Sequence, residues 1–191
     1  MDQNLKEYLR SGESVCWSGR PENFAVLGGK NKGAIIGKSV AVVVVAAAMI
    51  AGHMASSGTP KTGLVVLLIA VAVVTCLSPI WQKMQLLKVR YWITDQRVIQ
   101  LCKEGTFSSI ELNEIDVFKV VNDGSIDGCL VLGSSVFEDA EKQMRWRANT
   151  PKDDKETSGR SDHAVGLILY HTSDVEGAVA TLKSFGCAKA A

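Results

Sequence analysis

The sequence predicts an α+β protein that is anchored in a membrane by a helical hairpin. Two long apolar runs lie close together in the first half of the chain, and short segments that alternate polar and apolar residues follow them. An amphipathic segment with a helix start signal comes last. This order predicts two transmembrane helices, then a bent antiparallel sheet of seven strands, then one helix that caps the sheet.

The two apolar runs, residues 34–54 and 64–81, predict the transmembrane helices, because a helix needs roughly 20 mostly apolar residues to cross a membrane. Lys38 lies in the opening turn of the first run, where its ammonium can reach the headgroups. Trp81 ends the second run, where an interfacial aromatic residue is expected. The alternative is a pair of buried helices in a soluble domain. The remaining residues are too few to cover two helices that are apolar on every side.

The polar residues 55–63 connect the two runs and predict an antiparallel hairpin with both ends on one side of the membrane. Five Lys or Arg residues precede the first run and four lie within residues 83–97, whereas the connection has only Lys61. The positive-inside rule then predicts a multi-pass protein of the inner (plasma) membrane with both termini in the cytoplasm.

Small residues recur at helical spacing in the first run. Gly33 and Gly37 are four positions apart, and Ala41 continues the row. Such rows let helix backbones approach closely in lipid. The row predicts helix packing, either against the second helix of the same hairpin or between two copies of the chain.

Charge is divided unevenly along the chain. Residues 1–83 contain eight basic and four acidic residues, a net charge of +4, whereas residues 84–191 contain 13 basic and 16 acidic residues, a net charge of −3. An acidic domain argues against nucleic acid as a partner, because nucleic acid requires a basic surface. It also argues against strong attraction to anionic headgroups.

No group of residues has the spacing of a catalytic or metal site. The five cysteines are scattered, which is typical of reduced core residues in a cytoplasmic domain. His163 and His171 are interpreted as surface residues, and the acidic residues around Asp153 alternate with lysines as in a solvated loop. The chain is therefore predicted to be no enzyme and to hold no cofactor or metal.

Strand signals fill most of the region after the second apolar run. The predicted strands are residues 88–93, 97–102, 106–112, 116–121, 129–132, 144–148 and 165–170. A capping box at Ser173 and Glu176 then predicts the start of a helix, and Gly186 predicts its end. The apolar face of this helix is predicted to consist of Val175, Val179, Leu182 and Phe185.

Two motifs carry a resemblance to a known family. Trp17-Ser18-Gly19-Arg20-Pro21 resembles the W-x-G-R-P segment that precedes a helical hairpin in many prokaryotic membrane proteins. Tyr91-Trp92-Ile93-Thr94-Asp95-Gln96-Arg97-Val98-Ile99 resembles the opening of the bacterial pleckstrin-homology-like (PH-like) domain. The resemblance implies a seven-stranded bent sheet capped by a C-terminal helix on a transmembrane hairpin, with no enzymatic activity and no agreed ligand.

These observations divide the chain into a cytoplasmic N-terminal segment (1–33), a transmembrane hairpin (34–83) and a cytoplasmic PH-like domain (84–191). The candidate interaction or structural residues are Trp17, Arg20, Thr94, Asp95 and Arg97. Arg97 is expected to bond loop carbonyls or to pair with Asp95, rather than to bind a ligand.

The predicted function is a membrane-anchored binding or assembly module. The lipid bilayer, an unidentified protein and a second copy of the chain are the predicted partners. Two alternatives remain open: a module that binds lipid headgroups, and a subunit of a membrane enzyme or transport complex. Missing catalytic clusters weigh against the last.

Overall fold

A computed structural model shows how the chain folds. It describes residues 5, 8–23, 26–27, 31–57, 62–103, 106–121, 128–134, 152–153, 162–170 and 172–189. The chain divides into two compact units: residues 24–84 form one, and residues 1–23 join residues 85–191 in the other. The N-terminal segment, which the sequence analysis set apart as residues 1–33, thus contributes its first 23 residues to the sheet-containing unit.

The first unit consists of two long helices, α1 (Asn31–Ser57) and α2 (Thr62–Leu86). Both are long and apolar enough to cross a membrane. At 1.5 Å per residue they extend about 40 Å, which exceeds the hydrocarbon core of a bilayer. Their apolar side chains are largely exposed, as at Val74, which is 67% exposed. This exposure agrees with a lipid environment, because water would not favour it.

In the second unit, a four-stranded antiparallel sheet begins with a strand that precedes both long helices. Its strands are β1 (Val15–Gly19), β2 (Arg90–Thr94), β3 (Arg97–Lys103) and β4 (Thr106–Glu111), and neighbours in space follow chain order. Gly19 lies opposite Tyr91 where β1 pairs with β2. The two long helices are therefore inserted in sequence between the first two strands of this sheet.

A second sheet lies later in the same unit. It contains β5 (Val117–Val121), β6 (Cys129–Leu132), β7 (Lys152–Asp153), β8 (Ala164–Leu169) and β9 (Ala188–Lys189), in the spatial order β7-β8-β6-β5-β9. The α+β class is confirmed. The predicted single antiparallel sheet is not observed. The described strands form two sheets, and β9 runs parallel to β5. The predicted strand at 144–148 lies outside the described residues.

Both faces of the first sheet are covered. Tyr91 is fully buried, and its hydroxyl accepts a hydrogen bond from the backbone N–H of Tyr170 at 3.0 Å, which links the two sheets. On the other face Leu5 packs with Trp92 and Ile99. The alternation of β2 predicted a half-buried strand, but Tyr91 to Thr94 are all buried. The N-terminal segment supplies the missing cover.

The C-terminal helix α3 (Val175–Ser184) packs against β1 and β2. Its N-cap is Asp174, whose carboxylate accepts a hydrogen bond from the N–H of Gly177 at 2.9 Å. The predicted capping box therefore starts one residue too early. Leu182 is fully buried as predicted, but Phe185 is 39% exposed. Helical geometry ends at Ser184, so Phe185 leaves the buried face.

We expect Leu182→Ala to lower the free energy of unfolding of the full chain by about 2–5 kcal/mol, because it leaves a cavity beneath α3. Denaturant unfolding in a neutral detergent, followed by tryptophan fluorescence, measures this. Lys183→Ala, at an exposed position on the same helix, is the control and should change the value by under about 0.5 kcal/mol. Equal effects of the two substitutions would contradict the packing of α3.

Candidate functional site

The turn between β2 and β3 is closed by the side chain of its first residue. The Thr94 hydroxyl accepts a hydrogen bond from the N–H of Arg97 at 2.9 Å and lies 2.8 Å from the Arg97 carbonyl oxygen. Threonine and aspartate stabilise turns in this way, because their short side chains reach nearby backbone groups. The prediction that the Thr94 side chain caps a backbone amide in this turn is confirmed.

Asp95 joins this turn to the N-terminal segment. Its carboxylate accepts a hydrogen bond from the N–H of Ser14 at 2.9 Å, and its own N–H donates to the Ser14 carbonyl at 3.1 Å. The hydrogen bond from the Ser14 backbone lowers the pKa of Asp95 below its usual value. Of the two alternatives expected for Arg97, a hydrogen bond to a backbone carbonyl is confirmed at Tyr8. Pairing with Asp95 is not observed, because Arg97 turns into the protein and pairs with Glu13.

Arg97 forms a buried, two-point ion pair with Glu13. Its side chain is 2% exposed, and that of Glu13 is 0% exposed. Nε donates to Glu13 Oε1 at 2.9 Å, and Nη2 donates to Oε2 at 3.1 Å. Two parallel charge-assisted hydrogen bonds of this kind are among the strongest polar contacts in proteins. Glu13 was not among the predicted site residues, since 84 positions separate it from Arg97.

The other donors of Arg97 are also engaged within the protein. Nη2 donates to the carbonyl oxygen of Tyr8 at 2.6 Å, and Nη1 lies 3.4 Å from the Ser109 hydroxyl and 3.9 Å from an Asp162 carboxylate oxygen. The guanidinium carbon lies 5.8 Å from the ring centre of Phe107, within range of a cation–π contact. One side chain thus joins the N-terminal segment, β3, β4 and the approach to β8.

Glu13 is held by further hydrogen bonds. Its carboxylate accepts from the N–H of Arg10 at 2.7 Å, and the Thr94 hydroxyl lies 2.7 Å away. Burial by itself raises the pKa of Glu13, but the hydrogen bonds from Arg97, Arg10 and Thr94 outweigh it and hold the pKa below 4.5. Gly12 permits the preceding turn, because its φ of 82° strains any residue with a side chain.

This polar cluster (Glu13, Thr94 and Arg97) is built to hold chain segments together. Its donors and acceptors meet one another at normal hydrogen-bond distances, so it has little capacity left for a ligand. Within the described ranges no group of three or more His, Cys, Asp or Glu side chains is placed to hold a metal ion. The chemistry of the cluster is therefore structural.

Trp17 is likewise a structural contact. It is 8% exposed, and its indole N–H donates to the carboxylate of Asp174, the N-cap of α3, at 3.0 Å. A side chain at Gly19 would overlap the Trp17 ring, so glycine is required there. The W-x-G part of the first motif thus fixes β1 against the start of the C-terminal helix.

Arg20, by contrast, is exposed and faces a cleft. Among the residues that the structure describes, it has no hydrogen-bond or ion-pair partner. The cleft, which we call the arginine cleft, has a volume of about 550 Å³ and is lined by Arg20, Pro21, Glu22, Asn23, Leu87, Arg90 and Ser173. Arg90 was not among the predicted site residues, because only the pairing of β1 with β2 places it beside Arg20.

Among the described residues, nothing packs against the two glycines of the small-residue row on α1. A methyl group added to Gly33 or Gly37 would find no heavy atom within 4 Å, and Ala41 is exposed. The row therefore does not pack against α2 here. Contact with a second copy of the chain is the interpretation that stays open.

We expect Glu13→Gln to lower the free energy of unfolding of the full chain by about 3–5 kcal/mol, because it leaves a buried guanidinium without its counter-charge. Denaturant unfolding in a neutral detergent measures this. Glu111→Gln is the matched control, since Glu111 pairs with Arg10 where the two side chains are 22% and 33% exposed. It should cost under about 1 kcal/mol. Equal costs would contradict the central role of the buried pair.

The same ion pair predicts a pH dependence. The pKa of Glu13 is lower in the folded protein than its ordinary value of 4.5, so its contribution is complete above pH 4.5 and is lost as the pH falls through the folded value. Unfolding measured at successively lower pH should show this loss in the natural chain. The Glu13→Gln variant should lose less stability over that interval. An identical slope would show that other carboxylates carry the effect.

Comparison of the chain with protein-family models, with curated proteins and with solved structures found no match. The similarity to PH-like domains therefore remains a resemblance of motifs.

Proposed function

We propose that this chain is a non-enzymatic, membrane-anchored binding and assembly module of the PH-like kind, whose partner is a protein or a second copy of itself. The observation that carries the proposal is the pairing of β1 with β2 across α1 and α2. The domain is thereby anchored through two chain connections, one entering and one leaving the helical unit.

The strand pairing favours a hairpin topology for the two helices. Gly19 and Tyr91 are opposite each other, so the chain leaves the sheet and returns to it at neighbouring points. Residues 20–30 and 87–89, which connect the sheet to the helices in sequence, contain charged residues, and charges disfavour crossing hydrocarbon. A hairpin in which both helices cross, with both ends on one side of the membrane, agrees with this.

The charge distribution supports a cytoplasmic domain. Residues 24–84, which contain both helices, carry five lysines and no acidic residue. Four of these lysines lie near the ends that connect to the domain, and only Lys61 lies in the connection. The positive-inside rule favours this arrangement with the domain in the cytoplasm.

A binding role agrees with how the domain uses its polar residues. The buried Arg97–Glu13 pair and the Trp17–Asp174 hydrogen bond are both internal contacts. Two surface features of the described residues are available for binding. They are the arginine cleft and the open row of small residues on α1. The open row favours contact between helices of two copies, because small residues permit close approach in lipid. The cleft favours a second candidate function, headgroup binding.

We expect cysteine labelling in intact cells to report a cytoplasmic domain. Two variants each keep one cysteine: the natural Cys16, which is exposed on β1, or a new one from Ser57→Cys at the far end of α1. A membrane-impermeant maleimide should label the Ser57→Cys variant from outside and label Cys16 only after the membrane is permeabilised. Labelling of Cys16 in intact cells would contradict the topology.

We expect the particle extracted in a mild detergent to contain more than one copy of the chain or a co-purifying protein. Its mass, measured by light scattering with the detergent subtracted, tests this. Gly37→Leu should reduce the mass if α1 contacts a second copy. Ala46→Leu, which lies about 180° around the same helix from Gly37, should not. A monomeric particle that retains no other protein would contradict the assembly role.

A further inference from the structure

Two arginines line the arginine cleft. Gly19–Tyr91 is the last pair between β1 and β2, and Arg20 and Arg90 lie one position beyond it in sequence. Like charges at neighbouring strand positions repel. Glu22 also lines the cleft, but within the described part of the chain it forms no ion pair with either arginine. Among the described residues, neither arginine has a carboxylate partner.

The two guanidinium groups differ in how they are held. Arg90 Nη1 donates to the carbonyl oxygens of Val89 at 3.1 Å and Leu87 at 3.4 Å, which orients its planar group. Arg20 is followed by Pro21, which restricts its backbone to extended conformations. Pro21 is buried and bridges to Thr172. Both arginines thus project from a fixed backbone.

We propose that the arginine cleft binds a phosphate group. Arginine presents a fork of N–H donors that matches the oxygens of phosphate, and an anion between Arg20 and Arg90 would remove their repulsion. Asn23 and Ser173 also line the cleft, and their side chains carry neutral hydrogen-bond donors. A volume of about 550 Å³ accommodates a phosphate with an attached headgroup or a small phosphate ester.

The connection between the cleft residue Arg90 and α2 is short in sequence. Arg90 comes four residues after Leu86, the last residue of α2, and an extended chain covers at most about 3.6 Å per residue. A tethered site encounters its ligand at a high effective concentration. Long-range attraction does not contribute, because residues 1–23 and 85–191 together carry 16 basic and 20 acidic residues. A lipid phosphate is thus one source, and a free phosphate compound is the other.

The phosphate chemistry stands independently of the proposed assembly role. Only the lipid source rests on the proposed membrane anchoring, which cysteine labelling tests separately. A failure of the site and a failure of the topology are therefore distinguishable.

The test uses the full chain in a neutral detergent with three probes: phosphatidylglycerol, phosphatidylcholine and inorganic phosphate. Native mass spectrometry counts retained lipid, and thermal unfolding reports on inorganic phosphate. The variants are Arg20→Gln and Arg90→Gln. Lys88→Gln is the matched control, because Lys88 is exposed and close in sequence but does not line the cleft.

We expect the natural chain to retain phosphatidylglycerol in preference to phosphatidylcholine. Each arginine variant should weaken this retention about tenfold, the ratio for the loss of one strong charge-assisted hydrogen bond. Lys88→Gln should leave it unchanged. Arg20→Gln removes no hydrogen bond to a described residue, so without phosphate its thermal unfolding should match that of the natural chain, and this measurement is the control for folding.

A different result also supports the site: inorganic phosphate stabilises the natural chain but not Arg20→Gln, and the natural chain shows no preference between the two lipids. The phosphate group then comes from a soluble phosphate compound. An equal loss in Lys88→Gln overturns the proposal, because general electrostatic attraction then explains the binding. So does the absence of any difference between the natural chain and both arginine variants.

Discussion

The buried ion pair between Arg97 and Glu13 is the interaction on which the sheet-containing unit depends. It connects the N-terminal segment to the turn that joins β2 and β3, and its satisfied hydrogen bonds make burial of both charges tolerable. A buried ion pair often adds little net stability compared with an apolar pair, yet the loss of one partner is costly. The main effect of the ion pair is therefore on conformational specificity, because it favours one position of the segment before β1 on the sheet.

With the N-terminal segment held in this position, the four-stranded sheet forms although two helices are inserted after its first strand. β1 precedes the two apolar helices in sequence and β2 follows them, so their pairing is a long-range contact that closes a long loop. Trp17 and Gly19 then place β1 against α3, through the hydrogen bond to Asp174 and the close approach of the ring to the glycine. The W-x-G and T-D-x-R motifs act at the two ends of this β1–β2 pairing. Both are better explained by folding than by ligand binding.

The insertion also determines where functional surface is available. Because Arg20 follows β1 and Arg90 begins β2, the pairing of these strands brings both arginines to a cleft at one side of the domain. The interior of the domain is occupied by its own contacts. Recognition is thus expected at that side and along the exposed helix surfaces, where Gly33 and Gly37 leave room for another helix.

The local structure could be predicted from the sequence: two apolar helices, most strand positions, the glycine stop after α3 at Gly186 and the turn chemistry of Thr94. These follow from apolar periodicity and from side chains that act on nearby backbone, which are readable in a short window. The partner of Arg97, the cap of α3, the division into two sheets and the cleft shared by Arg20 and Arg90 became clear only from the folded chain. The ion pair and the cleft each combine residues from opposite sides of the helical insertion. No local pattern reports such contacts, because they depend on how the strands pair in space.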